Sequence, residues 1–133
     1  KFKNCLVLDF GTATTFDVIK NGAYEGGVIA PGVKLSIKNL SKATALLPQI
    51  NLNSNQKNYG KNTKEALNAG FVWGYEGLIN NIINKIINKN KIKFKIILTG
   101  GYANFFKKMI KKNATVDQDI TVKGISNVYK ELL

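Results

Sequence analysis

The 133-residue sequence contains no histidine and no arginine, and its only cysteine is Cys5. Without histidine, the usual general base near neutral pH and the commonest metal-binding side chain are both missing. A lone cysteine excludes an internal disulfide and a cysteine-based zinc pattern. Any acid or base that this chain contributes to catalysis must therefore be a carboxylate, a lysine or a tyrosine.

Long hydrophobic runs are also missing. No stretch approaches the ~20 apolar residues that a membrane-spanning helix needs, and residues 1–20 lack the apolar core and small-residue cleavage site of a signal peptide. We therefore expect a cytoplasmic protein that does not bind membranes. Its hydrophobic content of 44% and its length fit one domain with one core, and no linker divides the chain, so we predict a single domain over residues 1–133.

The net charge of +12 comes from 20 basic residues, all of them lysine. Asparagine and isoleucine are abundant as well, as in "INNIINKIINKNKIKFK" (79–95). Because this bias extends along the whole chain, it favours a compositional origin over a nucleic-acid-binding face, and we expect no nucleic-acid partner. Lysines near a polyphosphate ligand would still help to attract it.

The first quarter of the chain predicts three strands. The β-type runs are "CLVLDF" (5–10), "TTFDVIK" (14–20) and "AYEGGVIA" (23–30), and the "NG" pair at 21–22 between the second and third is a strong hairpin signal. We predict a three-stranded antiparallel meander at the start of the domain.

The remaining chain predicts helices and two further strands. Asn62 followed by Glu65 resembles a capping box that opens a long helix. The predicted segments are a helix from Val33 to Leu47 closed by Pro48, a loop at 49–61, a helix from 62 to about 90, a strand at 94–101, a helix at 102–113, a strand at 119–124 and a helix at 125–133. The fold class is therefore α/β, with the meander continuing into a mixed sheet flanked by helices.

The long predicted helix contains three glycines, Gly70, Gly74 and Gly77. Each costs on the order of 1 kcal/mol relative to alanine in a helix interior, so the spacing indicates a close backbone approach or a break. Neighbouring aromatic residues, Phe71, Trp73 and Tyr75, suit packing of one helix against another. We predict homodimerisation through this region. Packing against the sheet of the same chain is the alternative.

The stretch "DFGTATTFDVI" (9–19) ends an apolar strand on an acid and crowds threonines into the turn. Gly11 lets the backbone approach a phosphate, and the hydroxyls of Thr12, Thr14 and Thr15 add hydrogen-bond donors. Asp9 would repel phosphate unless a cation lay between them. This combination is typical of a metal-and-phosphate loop for phosphoryl transfer, and a simple turn-capping role is the alternative for Asp9.

A second strand end, "LTGG" (98–101), carries paired glycines. Ligands gather where strands of an α/β sheet end and loops turn away. We therefore predict that Asp9 and Gly100 open into one cleft.

Five motifs occur in order: "DFGTATTFDVI", "GGVIAPGV", "TALLP", "GKNTKEALNAG" and "LTGGYA". Together they closely resemble the type III pantothenate kinase family, over about Val7 to Tyr129. The resemblance implies a ribonuclease H-like domain of the superfamily that includes sugar kinases, actin and heat-shock ATPases, in which two domains clamp a nucleotide between two D-x-G-T loops. It also implies the activity: ATP-dependent phosphorylation of pantothenate, the first step of coenzyme A biosynthesis.

The resemblance assigns roles around the nucleotide. Asp9 matches the residue that binds a monovalent cation, potassium or ammonium, beside the phosphates of ATP. Magnesium is implied as the ion that accompanies ATP. Thr12 matches a threonine that contacts ATP, with Gly11 in the same loop, and Gly100 and Gly101 correspond to the turn near the nucleoside. From the residues alone, the two glycines are equally well explained as a strand-to-helix turn.

Thr63, in "GKNT", matches a threonine that contacts pantothenate, in family dimers across the subunit interface. From the residue alone, a first-turn helix position is the simpler explanation. The implied partners are ATP, pantothenate and a second copy of the chain.

Two family motifs do not occur in this sequence: a first phosphate loop, D-x-G-N-T, and G-x-D-R, whose aspartate accepts the proton of the substrate hydroxyl. Asp17 has no matching role in the family. We expect the chain to be the C-terminal half of a two-domain kinase, without the catalytic base and inactive alone. The alternative is a non-catalytic nucleotide-binding or regulatory domain, and the reading frame upstream of Lys1 would distinguish the two.

Overall fold

A computed structural model describes residues 2–133 and shows a mixed sheet of five strands in the order β3-β2-β1-β4-β5. The strands are β1 (Cys5–Phe10), β2 (Ala13–Lys20), β3 (Ala23–Pro31), β4 (Lys95–Gly100) and β5 (Ala114–Val116), and the helices are α1 (Val33–Ala43), α2 (Thr63–Asn90), α3 (Ala103–Lys107) and α4 (Ile120–Leu132). Within these residues, none of the helices combines the length and the apolar character that crossing a bilayer requires.

The predicted meander is confirmed. β1 pairs antiparallel with β2, and β2 pairs antiparallel with β3. Asn21 and Gly22 join β2 to β3 with positive φ angles of 53° and 81°, which is the backbone conformation that an Asn-Gly hairpin turn provides. β4 then pairs parallel with the other side of β1, and β5 pairs parallel with β4, so the sheet is mixed as expected.

The core is built on alternate residues of the central strand. Leu6, Leu8 and Phe10 of β1 are buried and belong to the same cluster as Ile79 and Ile83 of α2. Because side chains alternate between the faces of a strand, the intervening Asp9 points to the opposite face from this cluster. Burying each large apolar side chain contributes about 1.5–3 kcal/mol, which holds the strand that carries Asp9 firmly in place.

The long helix α2 begins where the capping pattern predicts. Asn62 is the N-cap, and its side-chain oxygen accepts a hydrogen bond from the backbone N–H of Glu65 at 3.0 Å. The Glu65 carboxylate in turn accepts from the N–H of Lys61 at 2.9 Å. The helix continues through Gly70, Gly74 and Gly77 to Asn90, so the glycines do not break it.

Helix α1 is shorter than predicted, because it ends at Ala43 and not at Leu47. The Thr44 hydroxyl donates to the Leu40 carbonyl at 2.8 Å, and the Ser41 hydroxyl donates to the Leu47 carbonyl at 2.9 Å. Hydroxyl side chains that bond to nearby backbone in this way compete with helix continuation.

The predicted helix at 102–113 is wrong in length, since α3 covers only Ala103–Lys107. Asn80 of α2 donates to the Met109 carbonyl and accepts from the Lys111 N–H, both at 2.9 Å. These bonds hold residues 109–111 against α2 instead of in a continuing helix.

The predicted strand at 119–124 is wrong. The fifth strand is the short β5, and residues 120–124 form the first turns of α4. The alternation of Ile120 and Val122 suggested a strand, but Val122, Ile125, Tyr129 and Leu132 continue at helical spacing. Gly124 lies inside the helix and does not separate two elements.

Candidate functional site

The structure brings Asp9 and Gly100 together at one edge of the sheet. β1 and β4 are parallel neighbours, and their last residues, Phe10 and Gly100, form a pair. Gly100 has a φ of +91°, and a Cβ added there would lie 2.7 Å from the Asp9 carboxylate and from the backbone of Phe10. Only glycine fits this position, because both the left-handed backbone and the missing side chain are required.

Two threonines flank Asp9 across the sheet. Asp9 pairs with Thr15 of β2 and with Thr99 of β4, and paired residues project to the same face with Cβ atoms roughly 5 Å apart. Thr15 is half-buried and Thr99 is buried. The Asp9 carboxylate therefore lies between two hydroxyl side chains. Sequence analysis missed Thr99, although its position at the end of β4, before the paired glycines, is the same signal that drew attention to Asp9.

Within the described residues, no three histidine, cysteine, aspartate or glutamate side chains come together as a metal site. A cation beside Asp9 would therefore take its other ligands from hydroxyl or carbonyl oxygens or from a bound phosphate. Oxygen donors of this kind suit hard cations. The set formed by Asp9, Thr15 and Thr99 accordingly suits a hard cation better than a softer transition metal.

The threonines of the first loop differ in their availability. Thr12 is exposed, between β1 and β2. Thr14 is fully buried, and its hydroxyl donates to the Pro31 carbonyl at 2.9 Å. The expectation that Thr14 would donate to a phosphate is therefore wrong for this conformation, and Thr14 instead anchors β2 to the end of β3.

Several backbone amides of the two turns already have acceptors. The Gly11 N–H donates to the Ala13 carbonyl, and the Gly101 N–H donates to the Phe10 carbonyl, both at 3.1 Å. The Gly100 N–H donates to the Gln118 side chain at 3.1 Å. The N–H groups of these three glycines thus serve to hold the turns.

The start of α1 lies against the first loop. Gly32 is the N-cap of α1, and a Cβ added there would overlap the Thr12 carbonyl oxygen. The N-terminal end of a helix carries a partial positive charge, and it lies here beside Thr12. Lys34 and Lys38 of α1 also line a cavity of about 460 Å³, together with Tyr102, the residue after Gly101. This arrangement favours an anionic ligand near both turns.

Thr63 is placed in a different part of the molecule, an apolar groove of about 700 Å³ between α1 and α2. The residues that line this α1–α2 groove include Leu40, Leu47, Leu67, Phe71 and Leu78, together with Gly70, Gly74 and Tyr75. Thr63 is exposed at its margin. Asp9 belongs to the sheet edge, and Thr63 belongs to the groove, whose lining does not include Asp9.

Pro31 connects the groove with the first loop. Its carbonyl oxygen accepts from the Tyr75 hydroxyl at 3.0 Å as well as from Thr14. Since the Tyr75 proton goes to Pro31, the Ser36 hydroxyl is the donor in its 2.9 Å bond with Tyr75. Burial raises the pKa of Tyr75, and the Ser36 hydrogen bond partly offsets that rise. Tyr75 is thus a neutral, buried anchor between the helices and the loop.

The glycines of α2 do not approach any part of the described chain. A Cβ added at Gly70, Gly74 or Gly77 would meet no atom within 4 Å. Of the aromatic residues that neighbour these glycines, Tyr75 is buried and Trp73 is 44% exposed. The close backbone approach that the glycines suggested is therefore not made within residues 2–133.

Comparison with proteins of known sequence identifies relatives of about twice this length. The chain is 53% identical over 122 residues to a type III pantothenate kinase of Pelagibacter ubique (strain HTCC1062), covering 92% of this chain and 49% of the relative. It is 41% identical over 128 residues to a type III pantothenate kinase of Cereibacter sphaeroides (strain ATCC 17029), covering 96% and 50%. The chain thus spans about half the length of the curated relatives it matches.

Solved structures share the fold. A conserved Baf-family protein from Campylobacter jejuni superimposes with a TM-score of 0.72 at 25% identity, covering 98% of this chain and 59% of the other. The Alp12 filament structure superimposes with a TM-score of 0.61 at 19% identity. The ethanolamine utilization protein EutJ from Carboxydothermus hydrogenoformans superimposes with a TM-score of 0.52 at 16% identity, and in both cases 44% of the other chain is covered. The fold is that of the actin-like ATPases.

The family model for type III pantothenate kinase matches residues 1–85, which hold the first loop, Gly32 and Thr63. The curated relatives named above carry the same family name over nearly the whole chain. The motifs, the fold and the matches agree, and this chain belongs to the type III pantothenate kinase family.

Proposed function

We propose that this chain is the C-terminal half of a two-domain enzyme that phosphorylates pantothenate with ATP in the cytoplasm, the first step of coenzyme A biosynthesis. The observation that carries the proposal is the junction of Asp9 and Gly100, where a carboxylate and a left-handed glycine from neighbouring strands meet at one sheet edge. Family membership supports the activity, since the relatives are named as kinases of this type. The same names disfavour a purely regulatory nucleotide-binding domain.

In this proposal, the sheet edge holds the phosphates of ATP. Asp9, with the Thr15 and Thr99 hydroxyls beside it, would hold a potassium or ammonium ion, and magnesium would enter with ATP. A bound cation of this kind neutralises charge that develops on the transferring phosphoryl group. The exposed Thr12 hydroxyl donates to a phosphate oxygen. The side-chain-free backbones of Gly11, Gly100 and Gly101 allow the nucleotide to approach.

The α1–α2 groove is proposed to take part in pantothenate binding through Thr63. Its lining is largely apolar and open, with Gly70 and Gly74 on one wall. We propose that a second copy of the chain packs its own α2 against these glycines and so completes the site. Helices with small residues at the contact can approach one another closely.

The proton acceptor for the pantothenate hydroxyl is assigned to the other half of the enzyme, because this chain contains no counterpart of the family aspartate. The surface of α4 supports the existence of a covering partner. Ile125, Val128 and Leu132 form an apolar stripe on this helix and are 57–81% exposed, and contiguous apolar surface of this kind marks interaction sites.

The test is steady-state kinetics of the full-length protein with ATP, pantothenate and monovalent cation varied in turn. Asp9→Asn keeps the shape and removes the charge, so we expect turnover to fall ~10²–10³-fold and the response to potassium or ammonium to weaken. Thr12→Val should mainly raise the KM for ATP, and Thr63→Val should mainly raise the KM for pantothenate.

Asp17→Asn is the matched control, because Asp17 is the half-buried acid two positions beyond Thr15 in β2. This variant should retain normal turnover and cation dependence. If Asp9→Asn behaved like Asp17→Asn, Asp9 would be a turn cap and the proposed cation site would be wrong.

A further inference from the structure

We propose that Gln118 is a positioning residue of the nucleotide site, whose side-chain amide holds the Gly100 turn in place beside Asp9. The pair of hydrogen bonds between the Gln118 side chain and Gly100, called here the clamp, is a property of the fold. Its role toward a nucleotide rests on the proposed function.

Gln118 contacts Gly100 at two points. Its side-chain oxygen accepts a hydrogen bond from the Gly100 N–H at 3.1 Å, and its side-chain NH₂ donates to the Gly100 carbonyl at 2.9 Å. A carboxamide offers one acceptor and one donor group in the same plane, as a peptide unit does. Gln118 therefore pairs with Gly100 as a neighbouring strand would.

The side chain extends the parallel pairing between β4 and β5 after β5 has ended. The last backbone pair joins Leu98 to Val116, and the Asp117 N–H then donates to the Leu98 carbonyl at 2.9 Å. Beyond this point the chain turns away into α4. The Gln118 side chain makes the next two bonds of the ladder, which the departing backbone no longer supplies.

Gly100 requires such a restraint. Glycine has more accessible backbone conformations than any other residue, so fixing it in the left-handed region loses more entropy. At Gly100 the turn lies so close to Phe10 and the Asp9 carboxylate that an added Cβ would come within 2.7 Å of both. The Gly101 N–H bond to Phe10 restrains the turn on one side, and the Gln118 amide restrains it on the other.

The charge of the clamp also matters. Asp117 and Asp119 flank Gln118. The Asp117 carboxylate accepts from Lys123 at 2.9 Å and from the Asp119 N–H at 3.0 Å, so it is already engaged. The neutral amide of Gln118 is thus the group that faces Gly100. A carboxylate there would add negative charge near Asp9 and near any bound phosphate.

The experiment uses the full-length protein with three substitutions. Gln118→Met keeps length and removes both hydrogen bonds, and Gln118→Glu keeps the acceptor for the Gly100 N–H, removes the donor to the Gly100 carbonyl and adds a negative charge. Lys123→Met is the control, because it removes the adjacent Asp117–Lys123 bridge and leaves the clamp intact. The readouts are amide hydrogen exchange at Gly100 and Gly101, and the KM values for ATP and pantothenate with kcat.

In Gln118→Met we expect Gly100 amide exchange to accelerate about 3- to 10-fold, as for the loss of one hydrogen bond, with Gly101 changed less. The KM for ATP should rise several-fold, while the KM for pantothenate stays within about twofold. Gln118→Glu should keep the Gly100 amide protected and still raise the KM for ATP. Lys123→Met should change none of these.

Unchanged Gly100 exchange in Gln118→Met would overturn the clamp. If Gln118→Met accelerated Gly100 exchange but left the KM for ATP unchanged, the positioning role would be overturned. An equal rise in the KM values for ATP and pantothenate would overturn it as well. If the unsubstituted protein showed no ATP-dependent activity, the proposed function would fall and the nucleotide role of Gln118 with it, while the exchange data would still decide whether Gln118 holds the turn.

Discussion

The glycines of the sheet edge and the glycines of α2 are present for different physical reasons. At Gly32 and Gly100, an added Cβ would collide with backbone or carboxylate atoms of the first loop. At Gly70, Gly74 and Gly77, it would meet nothing within 4 Å. At the sheet edge, the chain itself requires glycine. On α2 the described chain gives no reason for it, which directs attention to a contact outside this chain.

The sharpest test of this contrast is Gly100→Ala. Alanine would have to adopt a left-handed backbone and would overlap Asp9 and Phe10, so the free energy of unfolding should fall by roughly 2–6 kcal/mol. Urea unfolding followed by circular dichroism would measure the change. Gly101→Ala is the control, because its Cβ would lie 4.0 Å from the nearest atom, the Phe10 carbonyl oxygen. If Gly100→Ala and Gly101→Ala lowered the free energy of unfolding equally, steric overlap at Gly100 would not be the reason for the glycine there.

Tyr75→Phe tests the connection between the two regions. The variant removes the bond to Pro31 and leaves Ser36 without its acceptor, which should cost about 1–2 kcal/mol of unfolding free energy. Tyr59→Phe, at a 67% exposed tyrosine, should cost almost nothing. If Tyr75→Phe lowered the free energy of unfolding no more than Tyr59→Phe does, the hydrogen bond to Pro31 would not stabilise the fold.

The stability difference between the unsubstituted protein and Tyr75→Phe should also depend on pH. Because burial raises the folded-state pKa of Tyr75 above its value in the unfolded chain, the unfolded state loses this proton first as the pH rises. The stabilisation from neutral Tyr75 is complete below pH ~10 and declines above it. The difference in unfolding free energy between the unsubstituted protein and Tyr75→Phe should therefore narrow as the pH rises above ~10. A gap that widened over this range would contradict the burial of Tyr75.

Gly70→Ala and Gly74→Ala should have the opposite sign to Gly100→Ala. Each should stabilise the isolated chain by about 0.5–1 kcal/mol, because alanine restricts the unfolded state and favours the helix. If a second copy packs against these glycines, the same substitutions should weaken self-association in analytical ultracentrifugation. Higher stability with unchanged association would remove the proposed interface from this face of α2.

The smallest effect is expected on α4. Ile125→Lys replaces a 65% exposed residue, so its effect on the unfolding free energy of this chain should stay within about 0.5 kcal/mol. Binding of a hydrophobic dye should decrease. A loss above 2 kcal/mol would show that the apolar stripe packs against the rest of this chain.

Local signals in the sequence predicted much of the fold. Asn21-Gly22 specified the hairpin, Asn62 with Glu65 specified the start of α2, and the apolar run before Gly100 specified β4. Errors occurred where distant residues decide the structure. Asn80 shortens α3 through hydrogen bonds to residues 109 and 111. The sequence of the α3 segment itself does not indicate these contacts.

The candidate site was predictable only in part, for a related reason. Asp9 and Gly100 each end a recognisable strand, and parallel pairing brings such ends together. Gln118 was missed because the segment at 119–124 was assigned to a strand, which hid the turn that carries Gln118 between β5 and α4. Thr14 was misjudged because alternation along β2 buries it toward Pro31, and a cluster of threonines in a sequence does not show which hydroxyl is already bonded.

The Pro31 carbonyl has a mechanical consequence. A carbonyl oxygen has two lone pairs, and at Pro31 one bonds to Thr14 of the sheet and the other to Tyr75 of the long helix. A shift of α2 that stretches the Tyr75 bond therefore pulls on the same atom that anchors β2, the strand that follows the first loop. Helix α2 and the first loop are thus tied to a single atom, and a force applied to either one is transmitted to the other.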